Sequence, residues 1–344
     1  MKVGLIGHRG AGKTTIFNML TGLHADVGGF GGKEDVHLGV IKVPDVRVDK
    51  LAQIFKPRKT TYAEIVFTDF PASEGDEKRR AANPLIGQMR EVDAMALVVR
   101  DFGDGARPLQ ELNDLLTEMI LTDLAVVENR RSRLRKEKAR PLEEGLLERC
   151  AKGLESETSL RSLSFTADEE NLLSGFGFLS RKPALVIFNQ AEEKIGKALD
   201  AALQAELERR GLEGLALAGK AEMEIAQIDE ADRAAFLKDL GLQEPARDRF
   251  IRCAYGLMNL VSFFTTGEDE VRAWTITRGT VARKAAGKIH SDIERGFIRA
   301  EVVAYDDFIV YGSEAKCKEA GKLRLEGKDY VVKDGDIIHF RFAV

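Results

Sequence analysis

The sequence predicts an α/β fold built on a parallel sheet, followed by a separate small α+β domain. Three observations carry this. From Lys2 to Gln190, short apolar runs of buried-strand type alternate with stretches of helical spacing, the pattern of a parallel sheet covered on both faces by helices. The first of those runs passes through a glycine-rich loop directly into a helix. Near Val261 the character changes to strands rich in β-branched and aromatic residues.

The first strand is Val3-Gly4-Leu5-Ile6, and the helix after the loop shows Ile16, Phe17 and Leu20 at helical spacing. Between them Gly7, Gly12, Lys13 and Thr14 satisfy the phosphate-loop pattern of Gly, four residues, Gly-Lys-Thr. Glycines at 7, 10 and 12 let successive backbone N–H groups turn inward around a phosphate at the positive end of the helix. Lys13 would reach the β- and γ-phosphates, and the Thr14 hydroxyl would ligate Mg²⁺. The segment from His24 to Gly39 holds five glycines between Gly28 and Gly39. It reads as a loop, either the first switch of a nucleotide site or a linker.

Strands are expected at Gly39–Val43 and Ala63–Thr68, with Pro44-Asp45 and Lys56-Pro57 as punctuation. Asp69 stands at the tip of the second. A carboxylate there either holds the Mg²⁺ shell through water or caps a helix. Ala94–Val99 and Ala184–Phe188 are further buried strands, so Gly7, Asp69 and Asn189 all fall at strand carboxyl ends, where such sheets bind ligands.

Between the last two strands Leu109, Leu112, Leu116, Met119, Ile120, Val126 and Val127 keep a helical period. A basic run follows, with Arg130, Arg131, Arg133, Arg135, Lys136, Lys138 and Arg140 against the single acid Glu137. Leu142, Leu146 and Leu147 begin a returning helix, and Thr166-Ala167-Asp168-Glu169 is a capping-box start for the next. A helical hairpin with a basic tip is a candidate grip on RNA phosphates; the alternative is a solvated face. Beyond Val261, strands are expected at Val271–Thr277 and Phe297–Ala304, and Tyr330–Phe340 reads as a hairpin turning at Asp334-Gly335. Ile338, Phe340, Phe342 and Val344 alternate, which turns one face of the last strand to a core.

The totals set the outer limits. A chain of 344 residues has ample core for two or three domains. With a net charge of −4, the surface as a whole is no polyanion binder, so any RNA contact is local and no DNA specificity is expected. No apolar run approaches a membrane span, Met1 leads straight into a strand, and Cys150, Cys253 and Cys317 fit no metal or redox spacing. A cytoplasmic protein with reduced thiols is the expectation.

These residues resemble the YchF (Obg-like ATPase) family of translation-factor-type P-loop NTPases. The likeness runs along nearly the whole chain and is strongest in Thr265–Ile276, Ala286–Asp292, Arg295–Val302 and Leu325–Val331. These look like the TGS domain, a ubiquitin-like β-grasp module. Val43-Pro44-Asp45, Lys50-Leu51 and Lys56-Pro57 match the segment after switch I. The resemblance implies a P-loop NTPase domain over 1–108 and 176–260, a helical insertion over 109–175 and a TGS domain over 261–344. It also implies nucleotide-dependent association with ribosomes or RNA, and hydrolysis of ATP more than GTP. The candidate nucleotide-binding residues are Arg9, Gly10, Ala11, Gly12, Lys13, Thr14, Thr15, Asn189, Glu192 and Gly219. Thr14 and Asp69 are the candidates for Mg²⁺, and Arg130, Arg131, Arg133, Arg135 and Lys136 those for RNA.

The sequence departs from that family in its switches. No threonine occurs between Thr21 and Thr60, so a Mg²⁺ ligand or γ-phosphate sensor is missing. Asp69-Phe70-Pro71-Ala72 replaces Asp-Ile-Ala-Gly, Ser73 stands where a water-orienting glutamine would be, and Gly103–Arg107 lacks the histidine to which the family's hydrolysis is ascribed. His24, His37 or a residue from a bound partner are the candidate substitutes. Asn189-Gln190-Ala191-Glu192 replaces the guanine-reading Asn-Lys-x-Asp, with Asn189 and Gln190 available to the purine edge. The expectation is a Mg²⁺-dependent binder of ATP, or less readily GTP, with slow hydrolysis. The alternatives are a non-hydrolysing scaffold and an RNA-binding regulator.

Overall fold

The computed structural model describes residues 1–23, 25, 36–71, 84–137 and 141–343. In chain order the elements are β1 (Lys2–Ile6), α1 (Lys13–Thr21), β2 (His37–Lys42), α2 (Val46–Phe55), β3 (Lys59–Thr61), β4 (Glu64–Asp69), α3 (Pro84–Arg90) and β5 (Ala94–Asp101). Then come α4 (Pro108–Leu134), α5 (Pro141–Glu155), α6 (Ala167–Ser174), β6 (Ala184–Gln190), α7 (Ala201–Arg210), β7 (Glu213–Leu217), α8 (Gly219–Ala226), α9 (Glu230–Asp239) and α10 (Ala246–Leu257). The last stretch holds β8 (Leu260–Thr265), β9 (Glu270–Thr277), α11 (Ala282–Ile289), α12 (Ser291–Arg295), β10 (Phe297–Ala304), α13 (Tyr305–Tyr311), α14 (Glu314–Glu319), β11 (Arg324–Glu326) and β12 (Asp336–Phe342). Two units result: Met1–Ile41 with Val66–Cys253, and Lys42–Ile65 with Ala254–Val344.

The first unit is organised by a sheet of order β2-β4-β1-β5-β6-β7. The pairs β4–β1, β1–β5, β5–β6 and β6–β7 are parallel. All seven residues of β6 are buried, as a central strand between two helical layers requires. Helices cover it through Leu112, Leu115, Leu116 and Met119 of α4 and Leu203 and Leu207 of α7, which meet Leu97, Val99, Val186 and Phe188 of the sheet.

Beyond Met119, α4 leaves the sheet and pairs with α5, the predicted helical hairpin. Ile120, Val127 and Leu134 meet Leu146, Leu147, Cys150 and Leu154 in a second core. Thr166 and Glu169 form the predicted reciprocal cap of α6. At the foot of the hairpin Asp123 is fully buried. Its two oxygens accept the backbone N–H groups of Leu179 (2.9 Å) and Ser180 (2.7 Å). Burial pushes the Cys150 thiol up to about 11, which suits an inert core residue. Among the described residues no helix is long and apolar enough to cross a membrane.

The second unit has a mixed sheet of order β11-β10-β12-β8-β9-β3. Ala282, Ala285 and Ala286 of α11 pack on one face, against Val261, Phe263, Ile276, Val302, Ile338 and Phe340. The short side chains of those alanines bring the helix backbone close to the sheet. Residues 42–65 belong here, because β3 runs parallel to β9 from Lys59↔Glu270 to Thr61↔Arg272. Arg47 locks the segment down: it bonds Asp45, reaches Asp334 at 2.8 Å and lies over the Phe264 ring.

The predicted hairpin at Asp334-Gly335 does not form. Gly335 does take a positive φ of 85°, but Val331 bridges to Val281 and the Val332 N–H bonds the Thr280 carbonyl. β12 instead pairs antiparallel with β10 and parallel with β8. The buried Asp336 carboxylate accepts from the Lys333 N–H and the Tyr330 hydroxyl, closing a local turn where a hairpin would need paired strands. The alternation of the last strand holds for Ile338 and Phe340, whereas Phe342 is exposed; Val344 lies outside the described residues.

Candidate nucleotide site

The loop after β1 has the backbone that its glycines permit. A Cβ at Gly7 would stand 2.3 Å from the Val98 carbonyl oxygen, so only glycine lets β1 pass β5 there. Gly10 and Gly12 both have positive φ, and Gly12 opens α1. Lys13 is buried, with Nζ donating to the carbonyls of Gly7 (3.0 Å) and His8 (3.2 Å). The ammonium therefore lies across the loop whose amides would receive a phosphate.

At the second residue of α1, Thr14 Oγ1 donates to Asp69 Oδ2 at 2.9 Å. This contact joins residues 55 apart in sequence, so the Asp69 carboxylate serves the loop. Asp69 is buried, and its Oδ1 has no hydrogen-bond partner among the described residues. Burial raises its pKa, opposed by the Thr14 bond and by Lys13 and His37. His37, the first residue of β2, places Nδ1 3.7 Å from Asp69 Oδ2.

The other side of the loop is held by Asn189 at the end of β6. Its Nδ2 donates to the Ala11 carbonyl at 3.0 Å and its Oδ1 accepts the Gly219 N–H at 3.1 Å. Two candidates far along the chain from the phosphate loop, Asn189 and Gly219, are thereby brought onto it. The fit is close. A Cβ at Gly12 would stand 2.1 Å from Asn189 Nδ2, and one at Gly219 would stand 2.8 Å from Ile16 Cδ1. Asn189→Ala should cost about 2–3 kcal/mol, since it strands a buried carbonyl and a buried N–H. Denaturant unfolding checks this; an unchanged midpoint would mean that the amide contributes nothing.

Gln190 differs from the expectation that it faces a purine. It is buried and donates to Asp101 Oδ2 at 3.0 Å, while Lys194 reaches Asp101 Oδ1 at 2.6 Å. Successive strand residues point to opposite faces, so Asn189 and Gln190 cannot both face the loop. Asp101, at the tip of β5, is the residue that sequence reasoning missed. Its signal was available: an acid at a strand carboxyl end, like Asp69. Glu192 is exposed and opens a short turn after β6. Arg9 and Gly10 are exposed on the loop, and Thr15 is half-buried next to Gly219. His24, Ser73 and the glycine-rich segment 26–35 lie outside the described residues.

The basic run lies apart from this loop. Arg130 turns inward, with Nε donating to Glu143 at 2.7 Å and Nη1 to Glu137 at 3.0 Å, and so ties α4 to α5. Arg133, Arg135 and Lys136 are exposed, and Arg131 is half-buried.

Comparison with known proteins bears on both units. Residues 2–130 match the family model described as 50S ribosome-binding GTPase, and residues 260–343 match the YchF-GTPase_C model. The Ribosome-binding ATPase YchF of Bacillus subtilis (strain 168) is 37% identical, over 100% of this chain and 100% of that protein. The chain belongs to the YchF family. A second YchF relative, from Pasteurella multocida (strain Pm70), is 40% identical over 100% of this chain and 99% of its own length. The solved YchF GTPase of Schizosaccharomyces pombe superposes with a TM-score of 0.83 at 27% identity, covering 99% of this chain and 97% of that one. Family membership accounts for the parallel sheet, the helical insertion after β5 and the C-terminal unit occurring in one chain.

Proposed function

We propose that this chain is a Mg²⁺-dependent purine-nucleotide switch that favours ATP, turns it over slowly and engages ribosomes or RNA. The observation that carries the reading is the Thr14–Asp69 contact beside the loop-bound Lys13. It joins a cation-binding pair to a phosphate cradle in one buried corner. The donors fit a magnesium ion: a hydroxyl and a carboxylate are hard oxygen ligands, and Asp69 Oδ1 is buried with no partner among the described residues. Thr14 would bind the ion directly and Asp69 through water. The ion's role is to offset phosphate charge.

Adenine is favoured because Glu192 stands where a guanine-reading aspartate would be, one methylene further out, and because the curated relatives carry the name ATPase. Slow turnover follows from Pro71, which has no N–H to offer a γ-phosphate. Loss of one such donor costs about 3 kcal/mol, or roughly a hundredfold in rate. The purified protein should bind one equivalent of ATP by calorimetry yet complete less than one turnover per minute. Multiple turnovers per minute that vanish in Lys13→Ala would show efficient catalysis. Pro71 also supports a second reading, a nucleotide-binding scaffold that never hydrolyses; no turnover at all would favour it.

Ribosome engagement rests on the relatives being ribosome-binding ATPases by name and on the exposed cations of the α4 tip. Charge reversal at Arg131, Arg133 and Arg135 should weaken ribosome co-sedimentation and flatten its salt dependence, because each phosphate contact adds to the salt slope. Unchanged co-sedimentation would make the run a solvated face.

A further inference from the structure

We infer that a groove between α3 and α4 takes an unpaired nucleotide of an RNA strand, its base against the apolar side and its phosphates on arginine. The inference rests on the ribosome-engagement reading above and names the part of the RNA that this surface reads.

The groove follows one face of α4. Leu121, Ala125 and Asn129 recur every fourth residue, the spacing that keeps side chains on one side of a helix, and Thr122, Val126 and Arg133 line the groove beside them. From Leu121 to Arg133 the helix rises about 18 Å. Ile86 and Arg90 of α3 form the facing wall, and Phe176, just beyond α6, adds an aromatic ring. With its open mouth the groove holds about 1340 Å³, more than the ~300–1,000 Å³ of a small-ligand pocket. Its length and volume suit a stretch of chain better than a free mononucleotide.

The lining has the chemistry of a base-binding surface. Phe176 stacks on the buried Phe178, with ring centroids 5.0 Å apart and planes inclined by 2°, so it is a fixed platform of the kind on which unpaired bases stack. Leu121 is 44% exposed and offers apolar surface along α4. Asn129 is exposed, and its carbonyl and NH₂ groups together match the donor and acceptor edge of a base. A duplex hides those faces and edges in its stack, so the match is to an unpaired strand. No aspartate or glutamate lines the groove, so nothing there repels a phosphate. Arg130 is committed to Glu143 and Glu137, which leaves Arg133 and Arg90 to meet phosphate. Arg133 is exposed, and the Arg90 Nε is buried without a hydrogen-bond partner among the described residues. Asp123 is the acid whose field Arg90 feels, but both its oxygens already accept backbone N–H groups. The Arg90 stem is fixed as well: a Cβ at Gly177 would stand 2.9 Å from Arg90 Cβ, so glycine there lets the chain close over it. An acidic helix would satisfy the arginines too, but the aromatic platform and the amide favour a nucleotide.

The test uses the full chain with single-stranded RNA decamers of A, C or U, an RNA duplex of the same length, and purified ribosomes. At least one decamer should bind at least tenfold more tightly than the duplex. Asn129→Ala and Leu121→Ser, both at exposed positions, should weaken that binding at least fivefold without changing its salt slope, whereas Arg133→Ala should lower the slope by about one. Circular dichroism confirms that each variant is folded. Ultraviolet irradiation of the ribosome complex should attach a nucleotide to the peptide that contains Phe176. Duplex binding as tight as that of every decamer overturns the inference, as does unchanged decamer binding in both Asn129→Ala and Leu121→Ser. Either result, with ribosomes still bound, leaves the ribosome reading intact. A crosslink from this groove to a ribosomal protein and none to RNA overturns it in favour of a peptide. Decamers that bind as expected while ribosomes do not bind would support the groove and overturn the ribosome reading.

Discussion

Lys13→Ala should lower triphosphate affinity at least tenfold, and about a hundredfold if the whole charge-assisted contact, roughly 3 kcal/mol, is lost. The reason lies in where the ammonium already is. Lys13 is 8% exposed, and its Nζ bonds the Gly7 and His8 carbonyls, so little reorganisation separates this arrangement from one in which it meets phosphate oxygens. Deleting it removes the cation and leaves those carbonyls short of a donor. Lys13→Arg should not rescue the loss, because a planar guanidinium is wider than the buried space that an ammonium fills. Calorimetry at fixed Mg²⁺ reads the effect, with unfolding curves confirming the fold. Equal affinities for wild type and Lys13→Ala would remove this loop as the site.

The local part of the site was open to sequence reading and the long-range part was not. Gly7, Gly12, Lys13 and Thr14 announce themselves because their spacing is set by one turn of backbone around one phosphate. Asp69 could be placed at a strand tip, but its bond to Thr14 depends on β1 and β4 running parallel in one register. Asn189 was selected for a base and proves to hold the loop, bonding Ala11 across 178 residues. Gln190 was misjudged because alternation along β6 turns neighbouring side chains to opposite faces. Arg130 belonged to a basic run, but the acid that claims it, Glu143, lies on the returning helix beyond that run.

The fold divides in the same way. The capping box at Thr166 and the helical hairpin are spacing and period signals, and both appear where expected; the alternation of the last strand holds at Ile338 and Phe340 but not at Phe342. Two features carry no such signal. The grouping of residues 42–65 with the C-terminal unit depends on an ion pair and a strand pairing more than 200 positions away in the chain. The absent hairpin at Asp334-Gly335 shows that a good turn dipeptide fixes a bend but not its partner strand. Val331 makes only an isolated bridge to Val281 at the start of α11, and β12 pairs with two other strands.

Asp123→Ala should destabilise the first unit by about 4 kcal/mol, far more than an ordinary surface change. The carboxylate is 0% exposed, and both of its oxygens accept backbone N–H groups, from Leu179 and Ser180. Burial pushes its pKa up, while the Ser180 and Leu179 bonds and the nearby Arg90 oppose that shift. Removing the side chain leaves two buried donors without acceptors, each costing about 1–3 kcal/mol, and adds a void. Asp123→Asn should cost about half as much, because one oxygen remains to accept while its NH₂ group confronts the other N–H. The damage should centre on the approach to β6, since Leu179 and Ser180 lie just ahead of Ala184. Asn189 sits at the far end of that strand, so the folded fraction should keep its triphosphate affinity. Urea unfolding followed by far-UV circular dichroism measures the loss. Midpoints matching wild type for both variants would mean that water reaches those amides, and the account of this buried carboxylate would fail.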